Sequence, residues 1–320
     1  MDLRLALYEL ADRHGLHADA SRRLHRLAGL EDEPDAAAQW LPRGVAILAA
    51  ALIGLGLVFW IAANWESLGR AGRFGLLQGV LLAMCVAAMA RPAARAPLGL
   101  IAFLAIGALF AFFGQTYQTG ADPWQLFALW TLLGLPLVLA VRSDVLWAPW
   151  TVVALSAVSL WVHAHTGHRW RVEPDDLRAH VMGWLAALAL VAALLPMARR
   201  FTGAGIWSLR TGLTLWVVMV TSTALGGLFQ QHVGAHYGLG VLLLAGAALT
   251  LASPRFAEIY GLSAVALGLN TLLVAGLARW LAEGHRGDWI GVLFLLGLVA
   301  AGLLAATVSG ILRIARRAVQ

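Results

Sequence analysis

The sequence predicts an all-α fold, a polytopic transmembrane helical bundle of about ten spans behind a short N-terminal helical hairpin. Of the 320 residues, 60% are hydrophobic and only 12% are charged, whereas soluble domains average roughly 45–50% apolar and about 25% charged residues. Apolar runs of about 20 residues, the length that crosses a bilayer, recur along the chain. These runs are continuous and rich in Ala and Leu, without the period-two alternation of a membrane β-barrel.

Ten runs satisfy the length requirement, and no charged side chain lies in their cores. They are near residues 44–63, 73–90, 98–114, 124–141, 144–163, 180–197, 207–229, 236–252, 257–281 and 289–312. Residues 41–320 therefore form the predicted transmembrane bundle. The lipid bilayer is its expected surrounding, because hydrocarbon is the solvent that tolerates so much apolar surface.

The N-terminal segment, residues 1–40, is polar and reads as a pair of helices followed by a linker. Leu3, Leu7 and Leu10 repeat at helical spacing, and Gly15 can end the first helix. The pair resembles a helix-turn-helix only in outline, so we expect no nucleic-acid binding. We expect a cytoplasmic hairpin that lies on the membrane or on the bundle, or that binds a membrane or cytoplasmic protein partner.

The distribution of arginine predicts the orientation. All 23 basic residues are Arg, which together with the high Ala, Gly and Leu content suggests a GC-rich bacterial genome. Sixteen lie in the N-terminal segment, near the connections after even-numbered runs and in the C-terminal tail, and seven lie near the other connections. Because cytoplasmic loops carry the excess of Arg and Lys, we expect a bacterial inner-membrane protein with both termini in the cytoplasm.

Polar and aromatic residues cluster where the odd-numbered runs end, which is the predicted outer face. The clusters after the first and third runs supply six candidate ligand-binding residues, namely Asn64, Trp65, Gln115, Tyr117, Asp122 and Trp124. Asn64, Gln115 and Tyr117 would supply hydrogen bonds, and the Trp rings would supply apolar walls. Asp122 would hold its loop in place by capping the next helix, with Pro123 at the first helical position. The alternative interpretation is that loop ends are polar in every membrane protein, and that this loop is only a well-capped turn.

Histidines on the same predicted face are candidate metal ligands. His163 and His165 flank one residue, and His232 and His236 are four residues apart. A spacing of four places two imidazoles on one helical face, as a metal pair needs. Because no carboxylate accompanies them at a recognised motif spacing, we predict no metal and no cofactor, and these four residues remain weak candidates.

Several function classes lack their motifs in this chain. No Walker A, GxSxG or HExxH pattern is present, which argues against ATP hydrolysis and against the hydrolases that use those motifs. The absence of charge within the runs argues against a proton-coupled pump. The Gly75 and Gly79 pair, and Ala264 with Gly268, have the spacing of small residues that lets membrane helices pack closely.

The ends of the first and third runs carry a family resemblance. The residues concerned are Ala62-Ala63-Asn64-Trp65, Gly114-Gln115, Tyr117, Gly120, Asp122-Pro123, Phe127, Trp130 and Leu135-Pro136, with Gly15-Leu16 in the N-terminal segment. Over roughly its first 145 residues the chain resembles the bacterial membrane proteins grouped as domain of unknown function 2157. The resemblance implies a membrane protein and no assigned activity. The chain departs from the family pattern at Gln118 and Thr119, where a His or Ser-like residue is frequent.

The leading hypothesis is a membrane protein without catalysis of its own, which binds or passes a small or lipid-like ligand through an outward-facing polar vestibule. One alternative is a structural or partner-binding membrane subunit that uses residues 1–40. A second alternative is an enzyme acting on a lipid-linked substrate. The enzyme hypothesis requires His163, His232, Glu283 and Asp288 to converge within hydrogen-bond or metal reach.

Overall fold

The structure is a computed structural model that describes residues 3–28, 35–63, 69–117, 120, 122–253, 258–284 and 289–319. Every regular element in these ranges is helical, so the predicted all-α class is confirmed. The α-helices are α1 (Leu3–Arg13), α2 (Ala18–Leu27), α3 (Asp35–Ala63), α4 (Arg70–Ala90), α5 (Arg95–Tyr117), α6 (Pro123–Val141), α7 (Asp144–His165), α8 (Leu177–Ala192), α9 (Arg199–Thr202), α10 (Ile206–Leu228), α11 (Ala235–Ala252), α12 (Ile259–Gly284) and α13 (Trp289–Val319).

The chain divides into two compact units, residues 1–52 and residues 53–320. The first unit contains α1 and α2, the two short helices that the sequence predicts. Gly15 between them has a φ of +57°, a left-handed conformation that glycine adopts without steric cost. The backbone N–H of Leu16 donates to the carbonyl of Ala11 at 3.0 Å, which closes the turn at the end of α1.

The second unit holds most of the membrane-length helices. Among the described residues, eight helices are long and apolar enough to cross a bilayer, namely α4, α5, α6, α7, α10, α11, α12 and α13. They coincide with eight of the ten predicted runs. The first predicted run lies in α3, a continuous helix of 29 residues whose described apolar stretch is Leu41–Gly56.

The sixth predicted run is broken. We expected one helix over 180–197, but α8 ends at Ala192, and the segment Pro196–Thr202 that follows is bent from it by 54°. Leu195 has an extended backbone, with φ −59° and ψ 154°, because the ring of Pro196 disfavours a helical conformation in the preceding residue. Counting this bent pair as one span raises the eight to nine.

Helix α10 is the centre of the second unit, since it packs against α7, α8, α11 and α12. Two nearly inaccessible tryptophans join it to α8. The indole N–H of Trp216 donates to the carbonyl of Trp184 at 3.1 Å, and the indole N–H of Trp184 donates to the hydroxyl of Thr223 at 3.0 Å. A buried indole needs such an acceptor, so both rings fill the interior without leaving a donor unpaired.

Small residues permit the closest helix contacts in this unit. A Cβ atom at Gly134 would lie 2.6 Å from Cε2 of Phe103, and one at Gly268 would lie 2.8 Å from Cγ1 of Val217. Packing at Gly268 agrees with the sequence pattern. At Gly75 and Gly79, by contrast, a Cβ atom would meet no atom of another described helix within 4 Å. The expectation that this pair forms a close contact within the bundle is therefore wrong.

A carboxylate joins the beginnings of two neighbouring helices. Asp144, the first residue of α7, accepts hydrogen bonds from the backbone N–H groups of Gly205, Trp207 and Ser208 at 2.7, 2.9 and 3.3 Å. The hydroxyl of Ser208 donates to the same carboxylate at 2.7 Å. Asp144 thereby satisfies free N–H groups of the first turn of α10 and places a negative charge at its positive end.

Candidate functional site

A cavity of about 400 Å³ lies between α7, α8, α10 and the connection from α7 to α8. This volume falls in the range of roughly 300–1,000 Å³ that is usual for small-molecule sites. The deeper wall is apolar and includes Val152 and Leu155 on α7 and Leu215, Val218 and Met219 on α10. The polar lining lies nearer the end of the bundle where α7 terminates, and consists of Ser156, Ser159, His163, Thr166, Arg169, His180, Ser222 and Thr223.

The cavity is long in the direction of the α7 axis. Its lining on this helix extends from Val152 to His163 and continues at Thr166 just beyond, a separation of about 21 Å at 1.5 Å per residue. Val152 and Val218 line the cavity while 43% and 57% of their surface remains exposed. Both residues lie well inside apolar spans, so the cavity reaches a surface that faces hydrocarbon when the bundle is in a bilayer.

The connection between α7 and α8 forms the polar mouth, and its backbone turns sharply. Gly167 and His168 both have left-handed φ angles, +68° and +59°. The hydroxyl of Thr166 lies 3.2 Å from the carbonyl oxygens of both His163 and Arg169, which ties the turn together. The turn folds Trp170 back onto His163, and the two rings stack with centroids 4.2 Å apart.

Two serine hydroxyls in the cavity lining make no hydrogen bond to any described residue. In a membrane helix a hydroxyl usually donates to a carbonyl three or four residues earlier, as Thr151 does to Trp147 at 2.7 Å on the same helix. Ser156 and Ser159 make no such bond, nor any other hydrogen bond to a described residue. Each therefore offers a donor and acceptor sites to an occupant of the cavity.

A buried pair of imidazoles adjoins the cavity. His180 lines it, and the ring of His236 meets the ring of His180 edge to face with centroids 5.0 Å apart. His180 Nδ1 lies 3.0 Å from the carbonyl oxygen of Asp176. Because a carbonyl can only accept, Nδ1 carries the proton and Nε2 is an acceptor in the neutral ring. Neither ring nitrogen of the fully buried His236 has a hydrogen-bond partner among the described residues.

Of the six predicted ligand-binding residues, Asn64 and Trp65 lie outside the described residues. Gln115 and Tyr117 are exposed near the end of α5, and neither lines the cavity. The ring of Tyr117 packs against Phe113 and Phe74, with centroids 4.8 and 6.2 Å apart. The structure therefore separates Gln115 and Tyr117 from the polar groups of the cavity.

Asp122 and Trp124 are brought next to the cavity mouth. The carboxylate of Asp122 lies 3.0 Å from Nε2 of His168, and the ring of Trp124 lies 6.5 Å from that of His165. Asp122 is the N-cap residue of α6 and Pro123 is its first helical residue, as predicted. The predicted side-chain cap is wrong, however, because the carboxylate contacts His168 and makes no capping hydrogen bond.

The geometry assumed for the histidine metal pairs is not found. His232 lies in the connection between α10 and α11, whereas His236 belongs to α11, so the two do not share a helical face. His163 stacks on Trp170, while His165 Nδ1 lies 2.8 Å from the carbonyl of Trp161. In the described part of the chain, no group of three or more His, Cys, Asp or Glu side chains is placed to hold a metal ion.

The four groups that the enzyme hypothesis needs do not come together among the residues described. Asp288 lies outside them. Glu283 pairs with Arg279 at 2.7 Å, and that arginine donates to the carbonyls of Gln230 and Gln231 at the end of α10. His163 belongs to the cavity instead. The arrangement is that of a capped helix end and offers no acid–base pair with His163.

Sequence reasoning missed Ser156, Ser159 and His180 as members of one site. None of the three belongs to a recognised motif in the sequence. A usable signal existed on α7, because Ser156, Ser159 and His163 follow one another at helical spacing and so share one face. Nothing in the sequence indicates that α8 and α10 close the other sides.

The eight membrane-length helices of the described residues are those of a multi-pass α-helical membrane protein. Residues 8–147 match the family model described as predicted membrane protein (DUF2157), which confirms the resemblance over this segment. No curated protein and no solved structure has a significant match to the chain. The cavity lining begins at Val152, so the site lies just beyond the part that the family model covers.

Proposed function

We propose that this protein binds a lipid-like ligand in the cavity between α7, α8 and α10. The observation that carries the proposal is that the lining is apolar at its deep end, from Val152 and Leu215, and gains polar side chains from Ser156 to the mouth. An amphipathic molecule has the same division, and its chain would lie along Val152, Leu155, Leu215 and Val218. The exposed sides of Val152 and Val218 provide a route of entry from the bilayer.

The proposed orientation puts the polar end of the cavity on the outer side of the bacterial inner membrane, with both termini in the cytoplasm. The excess of arginine near the other ends of these helices supports it. A ligand would then enter from the hydrocarbon or from the outer leaflet. The site thus keeps the outward-facing polar vestibule of the sequence hypothesis but is built from α7, α8 and α10, with Asp122 and Trp124 beside its mouth.

The test compares two substitutions of serine by phenylalanine. Ser159→Phe fills the cavity, whereas Ser263→Phe is the matched control, because Ser263 is exposed on α12 and its hydroxyl bonds only to Ile259. Lipids that co-purify with each detergent-extracted protein are identified by native mass spectrometry. We expect bound lipid in the wild type and the control and a loss of about tenfold in Ser159→Phe, the equivalent of about 1.4 kcal/mol. Equal lipid content in all three monodisperse proteins would overturn the proposal.

Partner binding by residues 1–40 is a second proposal, favoured by one observation. Leu10, Leu16 and Leu27 of the helix pair are 45%, 37% and 87% exposed. Apolar side chains on a polar hairpin are available to another protein or to the membrane surface. Cross-linking in cells should capture a defined partner that disappears when residues 1–40 are deleted, and capture that survives the deletion would refute this role.

A further inference from the structure

The polar end of the cavity suits one kind of head group. We propose that the ligand carries a neutral, hydroxylated head group, a glycerol or a sugar, which hydrogen-bonds to Ser156, Ser159 and His180. This inference rests on the proposed function and goes beyond it by assigning the chemical class of the ligand. Three observations carry it: the free hydrogen-bonding groups, the charge around the cavity and the aromatic ring at its mouth.

The free groups match hydroxyls in both roles. The Ser156 and Ser159 hydroxyls make no hydrogen bond to a described residue, so each can donate one and accept one. The contact of His180 Nδ1 with the carbonyl of Asp176 selects the tautomer in which Nε2 is an acceptor. A quaternary ammonium group has no N–H to donate, and a phosphate diester only accepts. A hydroxyl group does both, and a polyol can reach several of these sites at once.

Charge around the cavity favours a neutral occupant. Among the described residues no carboxylate lines the cavity, and the arginine in its lining, Arg169, pairs with Glu173 at 2.7 Å. The segment 169–178 contains three Arg and three carboxylates, so the mouth carries no net excess of either sign. Ser156 and Ser159 lie about 14 and 9 Å below the end of α7, from the helical rise. A charged head group at that depth would lose hydration without gaining an unpaired counter-charge from a described lining residue.

Trp170 adds an aromatic surface at the mouth. One face of its ring stacks on His163 at a tilt of 20°, yet 74% of the residue is exposed. An exposed ring face packs well against the apolar C–H face of a sugar. A glycerol head group would stay near the serines and would not reach this ring. Trp170 therefore distinguishes the two sources of the same hydroxyl chemistry.

The experiment measures the affinities of full-length, delipidated protein for four lipids with identical acyl chains. The probes are diacylglycerol, monoglucosyl diacylglycerol, phosphatidylglycerol and phosphatidylcholine, titrated in detergent and read by native mass spectrometry. We expect a neutral hydroxylated lipid to bind about tenfold or more tightly than either phospholipid. The Ser156→Ala, Ser159→Ala double variant should lose this preference and bind the phospholipids as the wild type does, and Ser159→Thr should retain it.

Each outcome decides a separate point. If none of the four lipids binds the wild type, the proposed function fails together with this inference. If all four bind equally, or a charged lipid binds best, the head-group inference alone fails. Ser263→Ala, on exposed α12 surface, is the control for the serine substitutions. If Trp170→Ala loses binding of the glucosyl lipid alone, the head group is a sugar. If diacylglycerol is the preferred lipid and its binding is unchanged in Trp170→Ala, the head group is glycerol. Either result supports recognition of the head group through its hydroxyls.

Discussion

The carboxylate of Asp144 offers the sharpest test of how the bundle is held together. It accepts hydrogen bonds from three backbone N–H groups at the beginning of α10 and from the hydroxyl of Ser208. The residues it joins are 61 to 64 positions apart in the chain. Replacing it by alanine removes every one of these bonds and the negative charge beside the positive end of α10.

The expected cost follows from the exposure of the groups left behind. Loss of a capping residue costs about 0.5–2 kcal/mol, and hydrogen bonds to a charged group contribute about 1.5–3 kcal/mol. The N–H of the exposed Trp207 can regain a bond to water, whereas the backbone N–H of the fully buried Ser208 cannot. The Ser208 hydroxyl keeps a second acceptor, the carbonyl of Gly205 at 2.9 Å. We therefore expect Asp144→Ala to lower the free energy of unfolding by about 2–4 kcal/mol. Asp144→Asn keeps an acceptor oxygen and should cost about half as much.

The assay is thermal unfolding of the purified protein in detergent, followed by near-ultraviolet circular dichroism. One kcal/mol shifts the midpoint of a domain of this size class by about 2–4 °C, so Asp144→Ala should unfold on the order of 5–10 °C earlier. Asp175→Ala is the control, because Asp175 is exposed and makes no hydrogen bond to a described residue. A midpoint for Asp144→Ala that coincides with that of Asp175→Ala would refute this account of the α7–α10 junction.

Three further predictions concern packing and orientation. Trp216→Phe removes the donor to the carbonyl of Trp184 and part of a buried ring, so it should lower the free energy of unfolding by about 1–3 kcal/mol. The control Trp280→Phe, at a site that is 70% exposed, should change it by no more than about 0.5 kcal/mol in the same melting assay. Gly134→Ala places a Cβ atom within 2.6 Å of Phe103 and should lower the melting midpoint. Gly79→Ala meets no neighbouring described helix and should raise the midpoint slightly, because alanine favours the helix. Shifts of the midpoint in the same direction for both variants would contradict the packing. Alkaline phosphatase fused after Gly167 should be active and green fluorescent protein fused after the last residue should fluoresce; the reverse pattern would invert the proposed orientation.

Much of the fold was predictable because hydropathy is a local property. A run such as 124–141 is apolar whatever packs against it, and the structure places α6 at Pro123–Val141. The predicted beginning of that helix is also confirmed, with Asp122 as the N-cap residue and Pro123 in the first turn. The prediction of one helix over 180–197 was wrong, because a proline competes there with the hydropathy of the run. Pro196 ends a run that hydropathy alone would continue, because the proline ring restricts the residue before it.

The candidate site was predictable only in part. Of the four histidines considered from the sequence, only His163 lines the cavity. The candidate residues that follow the third run did not predict the lining of the cavity. Gln115 and Tyr117 lie apart from the cavity, and Asp122 turns from its own helix to His168, 46 residues away. Neither composition nor residue spacing shows which distant side chain will lie close enough to make such a contact.

The sequence by itself determined that the chain has membrane-spanning helices and roughly where most of them begin and end, because burial in hydrocarbon depends on each segment's own composition. It also showed which family the chain resembles over roughly its first 145 residues. Tertiary structure decided that α7, α8 and α10 surround a cavity, that Asp144 caps a helix more than 60 residues away, and that Trp216 donates to Trp184. These features depend on which helices pack together and on the rotation of each helix about its axis. That packing follows from the fit of side chains such as Gly134 against Phe103, which only the assembled bundle brings into contact.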